Sequence, residues 1–317
     1  MPAGYPQGVR RLDRMIASAD YELLAEQAGV VAREGRAVLE LTGSEAAEFL
    51  QGQVSNDVEA LEPGQGCYAT LLDHKGKLRT DMRVLRLAPD RLLVDAEPIG
   101  RRPLAHNFET YSLGRDVKPR DVTDDHVVLS LVGPRAHELL TDPPPREEHA
   151  CSEADGVVRV STDVGVDLIV PATREAEVRA GLDAPDADEQ AAEVLRVERG
   201  RPRLGLDMDA TTMPQEAGIN ERAVSFTKGC YVGQETVARL HYKGKPNRHM
   251  RGLKLTAPAQ HGDPILLGEK QVGTVGSVAD SPAHGPIALA LVRREAEPGA
   301  EVQVAGTPAT VVELPFG

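Results

Sequence analysis

Val38-Leu39-Glu40-Leu41-Thr42-Gly43-Ser44-Glu45-Ala46-Ala47-Glu48-Phe49-Leu50 returns further along the chain as Val128-Leu129-Ser130-Leu131-Val132-Gly133-Pro134-Arg135-Ala136-His137-Glu138-Leu139-Leu140, identical at seven of thirteen positions. A run this alike, with its flanks, marks an internal duplication. Each copy reads as a strand, a glycine turn and a helix. Thr42 with Glu45 fits a capping box, and Ala46, Phe49 and Leu50 follow at helical spacing. In the second copy Pro134 occupies a first-turn position, where a missing N–H costs nothing.

The flanks agree. After the first copy come Tyr68–Leu72, a turn at Asp73-His74-Lys75-Gly76, and a strand over Leu78–Leu87. In that strand Leu78, Met82 and Val84 alternate with Arg79, Asp81 and Arg83. Arg91–Asp95 and a helix from about Pro98 to Phe108 follow. The second copy leads to strands near Val157–Val160 and Val166–Val170 and a helix from about Thr173. Strand, helix, strands and helix, twice, predict an α+β fold of two ferredoxin-like modules with antiparallel sheets and a ligand cleft between them. From about Arg248 short apolar strands are broken by Gly-Asp-Pro, Gly-Glu-Lys, Ser-Pro and Glu-Pro-Gly, as in an all-β barrel. The domains expected are 1–122 (with a tail to about residue 20), 123–247 and 248–317.

Composition describes an ordinary globular chain: 317 residues, 41% hydrophobic, 27% charged. No apolar run is long enough to span a bilayer and no signal-peptide core is evident, so no membrane role and a cytoplasmic location are expected. Cys67, Cys151 and Cys230 are too few and too scattered for a disulfide framework or a cluster site. A net charge of −13 argues against nucleic acid as a partner.

The densest chemistry lies in Lys228-Gly229-Cys230-Tyr231-Val232-Gly233-Gln234-Glu235. One thiol stands beside a cation, between two glycines and before an expected helix. A neighbouring ammonium and a helix N-terminus both favour thiolate. A buried cysteine in a tight turn is the plain alternative. Downstream, Arg239, Tyr242, Lys243, Lys245, Arg248 and Arg251 form a basic strip, read either as a solvated loop or as a grip on a small anion. The helix over Gln190–Arg199 carries Ala191, Val194 and Leu195 as its apolar stripe. Glu198 falls on that stripe, where a carboxylate needs a partner or a ligand.

K-G-C-Y-V-G-Q-E resembles the signature of the YgfZ family of tetrahydrofolate-binding proteins, relatives of the glycine-cleavage T-protein that are associated with iron–sulfur protein maturation. Leu50–Val58, Arg196-Val197-Glu198-Arg199-Gly200 and Pro214-Gln215-Glu216-Ala217-Gly218 resemble three further family segments. The resemblance implies a tetrahydrofolate in the cleft, with Glu198 on the pterin and Gly229, Tyr231, Gly233, Gln234, Glu235, Arg239, Tyr242 and Arg248 around it. It implies Cys230 and Lys228 as the reactive pair, and iron–sulfur client proteins as partners. The rival is an aminomethyltransferase of glycine cleavage; a folate-dependent demethylase is a third option. The aminomethyltransferases carry an acidic pair on the strand after the hairpin glycine. Here Arg79-Thr80 occupy that place and Asp81 lies one residue on, facing away unless a bulge restores the phase.

Overall fold

The protein is described by a computed structural model covering residues 18–317. Its strands in chain order are β1 (Gly29–Arg33), β2 (Ala37–Thr42), β3 (Gln65–Leu72), β4 (Leu78–Ala88), β5 (Arg91–Ala96), β6 (Lys118–Asp121), β7 (His126–Val132), β8 (Cys151–Ala154), β9 (Val157–Thr162), β10 (Gly165–Pro171), β11 (Arg248–Leu255), β12 (Pro264–Leu267), β13 (Lys270–Ser281), β14 (Gly285–Arg293), β15 (Glu301–Val304) and β16 (Thr307–Val312). Its helices are α1 (Ser18–Glu26), α2 (Ala46–Gln53), α3 (Arg101–Tyr111), α4 (Glu175–Gly181), α5 (Glu189–Glu198), α6 (Asn220–Ala223) and α7 (Gln234–Lys243). No helix among the described residues is long and apolar enough to cross a membrane.

Two five-stranded antiparallel sheets, β3-β4-β5-β2-β6 and β8-β9-β10-β7-β1, and a closed barrel, β11-β14-β13-β12-β15-β16, make up the fold. The expected α+β class with two modules and a C-terminal barrel is what the chain adopts. The duplicated segments supply the equivalent strands β2 and β7. Period-2 alternation sends Leu39 and Leu41 to the helix-covered outer face of one sheet, and Leu129 and Leu131 to that of the other. Each is at most 1% exposed, a burial that stabilises by about 1.5–3 kcal/mol per side chain. Val38 and Val128 point the other way, into the layer where the sheets meet beside Leu85, Leu93, Val160 and Ile169.

The duplication holds to the turns. Gly43 and Gly133 have φ of 127° and 135°. A Cβ there would lie 2.1 Å from the Asp116 carbonyl oxygen in one copy and 2.3 Å from that of Gln27 in the other. Only glycine fits. The chain passing each glycine runs into the fifth strand of that sheet, β6 in the first and β1 in the second. The second module thus takes its fifth strand from the N-terminal end of the chain, ahead of the first module.

Two local expectations fail for physical reasons. Thr42 closes β2 rather than capping α2, and Glu45 instead accepts the Asp116 backbone N–H while Asp116 takes both groups of Ser44. The second-copy helix shrinks to a 3₁₀ turn, Ala136–Leu139. Three consecutive prolines, Pro143–Pro145, follow closely, and their missing N–H groups deny the chain further helical turns.

Candidate functional site

A cleft of about 470 Å³ lies where the inner faces of β4 and β7 meet α5 and the Arg199–Arg203 and Glu148–His149 segments. Its floor is an ion network. Arg83 grips Asp95 in a fork at 2.7 and 2.6 Å and reaches Asp167 at 2.6 Å; Arg36 adds a bond to Asp95 at 3.0 Å. Burial alone would raise the Asp95 pKa, but Arg36 and Arg83 outweigh it and hold the carboxyl below the usual range.

Asp81 stands on this floor because of a bulge. Leu72 pairs with Leu78 and Leu71 with Thr80, which leaves Arg79 without a partner. The extra residue flips everything before it relative to everything after. Leu78 therefore joins Leu72, Leu204 and Met213, while Met82 and Val84 pack in the core under α2 and α3. The expected single face for Leu78, Met82 and Val84 is broken, and Asp81 turns into the cleft. Burial pushes its pKa up to about 6, against the Tyr68 hydroxyl, which donates to Oδ2 at 2.6 Å and favours the ionised form. Asp81 Oδ1 is buried and has no partner.

Around Asp81 the walls are just as specific. Arg222 lies 5.1 Å from the Tyr68 ring centroid and is held by Glu148, while His149 stacks on the same ring at 6.5 Å. Burial drives the His149 pKa down to about 4, so its imidazole is neutral. On the opposite wall Glu193 accepts from Arg196 Nε at 3.0 Å. Its other oxygen has Arg203 at 3.1 Å and Arg33 at 3.9 Å as ion pairs, yet receives no hydrogen bond. Burial would raise its pKa, but Arg196 and Arg203 outweigh it and keep the group ionised. His149 Nδ1 and Arg222 Nε are also buried and unbonded. Buried polar groups are seldom left open, and four of them gather on this one cleft.

Asp81, Arg196 and Arg199 line this cleft, but Glu198, Lys228, Cys230, Arg239, Tyr242 and Arg248, named as ligand contacts or reactive groups on the resemblance, do not. Glu198 sits five residues beyond Glu193, about 140° further round α5 at 3.6 residues per turn. There it accepts the Tyr21 hydroxyl at 3.0 Å and the Ser281 hydroxyl on the barrel side. The expected carboxylate partner is thus protein, and the helix offers Glu193 to the cleft instead. Arg248 is held by Glu216 in a fork at 3.0 and 2.9 Å. Lys228 directs its ammonium at the carbonyls of Gln51 and Val54 (2.7 Å for the latter), which closes the C-terminus of α2. Burial lowers its pKa to about 8. Cys230, Glu235, Arg239 and Tyr242 are exposed. Gln234 takes the Tyr231 N–H at 3.1 Å, the loop-capping role its position suggests. Gly233, with φ of 85°, starts α7 against the β3–β4 hairpin, where a Cβ would fall 2.5 Å from the Asp73 carbonyl oxygen. The thiol loop with α7 and the cleft are separate places, joined through that hairpin.

The other motif segments work as fasteners. Asn56 donates to the carbonyls of Tyr68 (2.8 Å) and Arg222 (3.0 Å), which fixes two cleft residues at once. Glu216 ties Met213 to Arg248 and Lys77. The sequence reading weighed Asp81 and left it to a bulge; Tyr68, Arg222, His149 and Glu193, which line the cleft with it, carried no signal.

Residues 1–153 match the GCVT N-terminal domain and 248–316 the glycine cleavage T-protein C-terminal barrel domain. An aminomethyltransferase of Rubrobacter xylanophilus is 30% identical over 94% of this chain and 85% of its own. One from Synechococcus is 28% identical over 94% and 89%. The crystal structure of glycine cleavage system aminomethyltransferase T from Bartonella henselae shares the fold at a TM-score of 0.86, with 23% identity, 94% of this chain and 89% of that one covered. With its two duplicated modules, barrel and central cleft, the chain belongs to the aminomethyltransferase (glycine cleavage T-protein) superfamily.

Proposed function

We propose that this protein is a tetrahydrofolate-dependent one-carbon transferase that works in the central cleft, with aminomethyl transfer as its chemistry. The observation that carries this reading is Asp81, which the bulge at Arg79 turns into the cleft with one buried oxygen open. The residues there suit a reduced folate. A pterin presents an edge of N–H donors, and Asp81 Oδ1 and Glu193 Oε1 are acceptors without donors. Arg222 Nε is an unused donor for a carbonyl. Bound folate would supply the nitrogen that takes up the one-carbon unit. The protein's part is proton management: a carboxyl titrating at about 6 holds or releases a proton near neutral pH, and the Tyr68 hydroxyl fixes which oxygen stays free. The Arg83–Asp95–Asp167 network keeps the floor rigid.

Calorimetric titration with tetrahydrofolate, followed by turnover with a lipoyl-bound aminomethyl donor, tests both halves. Binding with ammonia release that Asp81→Asn abolishes supports the reading; binding without turnover removes the transferase half. A second reading, folate-linked maintenance of iron–sulfur proteins, is favoured by the exposed Cys230 in its K-G-C-Y-V-G-Q-E loop. A Cys230→Ala chain that binds folate but fails to sustain iron–sulfur enzyme activity in cells would support it. Unimpaired aminomethyl transfer by that variant would favour the first.

A further inference from the structure

We propose that the surface made by the β3–β4 hairpin and the outer side of α7 is a docking site for an acidic segment of a partner protein. This rests on charge and exposure and is independent of the folate reading. Thr236 and Val237 of α7 lie over Gly76 of the hairpin, with contacts of 3.3 and 3.2 Å from the place of a Cβ there. Each of these two packed elements carries its own group of exposed cations. His74, Lys75 and Arg79 come from the hairpin, and Arg239, Lys243 and Lys245 from α7 and its exit; all are exposed.

Among the described residues, Lys75, Arg79, Arg239, Lys243 and Lys245 form no ion pair. Most other arginines of the protein do, Arg36, Arg83, Arg91, Arg101 and Arg196 among them. Two acids share the surface. Asp73 is engaged by the backbone N–H groups of Lys75 and Lys77, and Glu235 opens α7. Five fixed cations against two carboxylates leave a positive field on a chain whose net charge is −13. Unneutralised cations repel one another, and a field opposite to that of the whole molecule orients an approaching acidic partner onto this side.

The same surface carries an apolar anchor. Tyr242 is 66% and Val232 44% exposed. Phe226 and His241 stack at 3.9 Å, and Tyr242 meets both edge-on. Aromatic side chains held by their neighbours and rimmed by charge are what binding hot spots are built from. The exposed Cys230 lies in the adjoining loop and serves as a built-in reporter.

A short fluorescein-labelled peptide of alternating Glu and Leu is the probe, with a Lys-Leu peptide of equal length and a single-stranded oligothymidylate as comparators. The acidic peptide is expected to bind by anisotropy and to slow iodoacetamide alkylation of Cys230 several-fold, read by peptide mass mapping. Affinity is expected to fall about ten-fold or more in Arg239→Glu/Lys243→Glu, and steeply as salt rises through a range where screening shortens below about 10 Å. Tyr242→Ala is expected to weaken binding at every salt concentration. All substituted side chains are exposed, so circular dichroism should match wild type. Unchanged affinity in the charge-reversed variant, or binding without protection of Cys230, overturns the proposal. Tighter binding of the oligothymidylate than of the acidic peptide overturns it in favour of nucleic acid.

Discussion

Replacing Asp81 by Asn should separate what this carboxyl does for activity from what it costs the fold. In the folded chain its pKa is raised from 3.8 to about 6 by burial. At 1.36 kcal/mol per unit the ionised form carries about 3 kcal/mol of unfavourable free energy. Between pH 4 and 6 the folded chain holds a proton that the unfolded chain has released, so Asp81's contribution to stability falls as pH rises through that window and levels off above it. Asp95, held low by its arginines, runs the other way: its contribution is present above about pH 4 and is lost as pH falls. That slope is common to wild type and variant, and the difference between them isolates Asp81. At pH 4 the folded wild-type group is a carboxylic acid, which accepts the Tyr68 hydroxyl much as an amide does. Asp81→Asn should therefore match wild type within about 1 kcal/mol at pH 4 and be more stable by about 3 kcal/mol at pH 8. Urea titrations across that range measure it, alongside loss of one-carbon transfer. Stability curves that stay parallel from pH 4 to 8 would refute the reasoning, since they would mean that Asp81 titrates alike in both states.

Tyr68→Phe removes the donor that favours ionised Asp81 and should move the acid limb of a pH–rate profile upward by about one unit. Glu193→Gln should weaken tetrahydrofolate about ten-fold or more, whereas Glu198→Gln, whose side chain bonds Tyr21 and Ser281, should leave affinity within about two-fold by calorimetry. Arg83→Met leaves Asp167 and half of Asp95 without counter-charge and should cost about 3–5 kcal/mol in urea unfolding. Gly233→Ala forces a Cβ towards the Asp73 carbonyl and should lower the melting temperature and raise hydrogen exchange in α7 and the β3–β4 turn.

The fold was legible because it is written twice. Val38, Leu39, Leu41 and Gly43 recur as Val128, Leu129, Leu131 and Gly133, and each pair does the same work in its own sheet. The site was much less so. Family motifs led to Glu198, Lys228 and Arg248, and the structure spends all three on tying elements together. Fasteners and ligand contacts look alike in a sequence, since both are polar residues at fixed spacing. Glu193 was hidden by its i,i+3 neighbour Arg196, which makes it resemble a surface ion pair. Asp81 hung on whether one residue bulged, a choice made by pairing across the hairpin and not by the local sequence.

The strand exchange at the N-terminal end has a kinetic side. β1, Gly-Val-Val-Ala-Arg, pairs within its sheet with β7, which leaves the ribosome about a hundred residues later, and Val30 bridges to Asp186 later still. At about 5–20 residues per second, an apolar edge waits roughly 5 to 20 seconds for its only neighbour in the sheet. During synthesis the first module can close on itself while the segment preceding it hangs unclaimed. Slow translation through the stretch from β2 to β7 would lengthen that interval and raise the share of chains lost to self-association, without altering a single contact in the finished molecule.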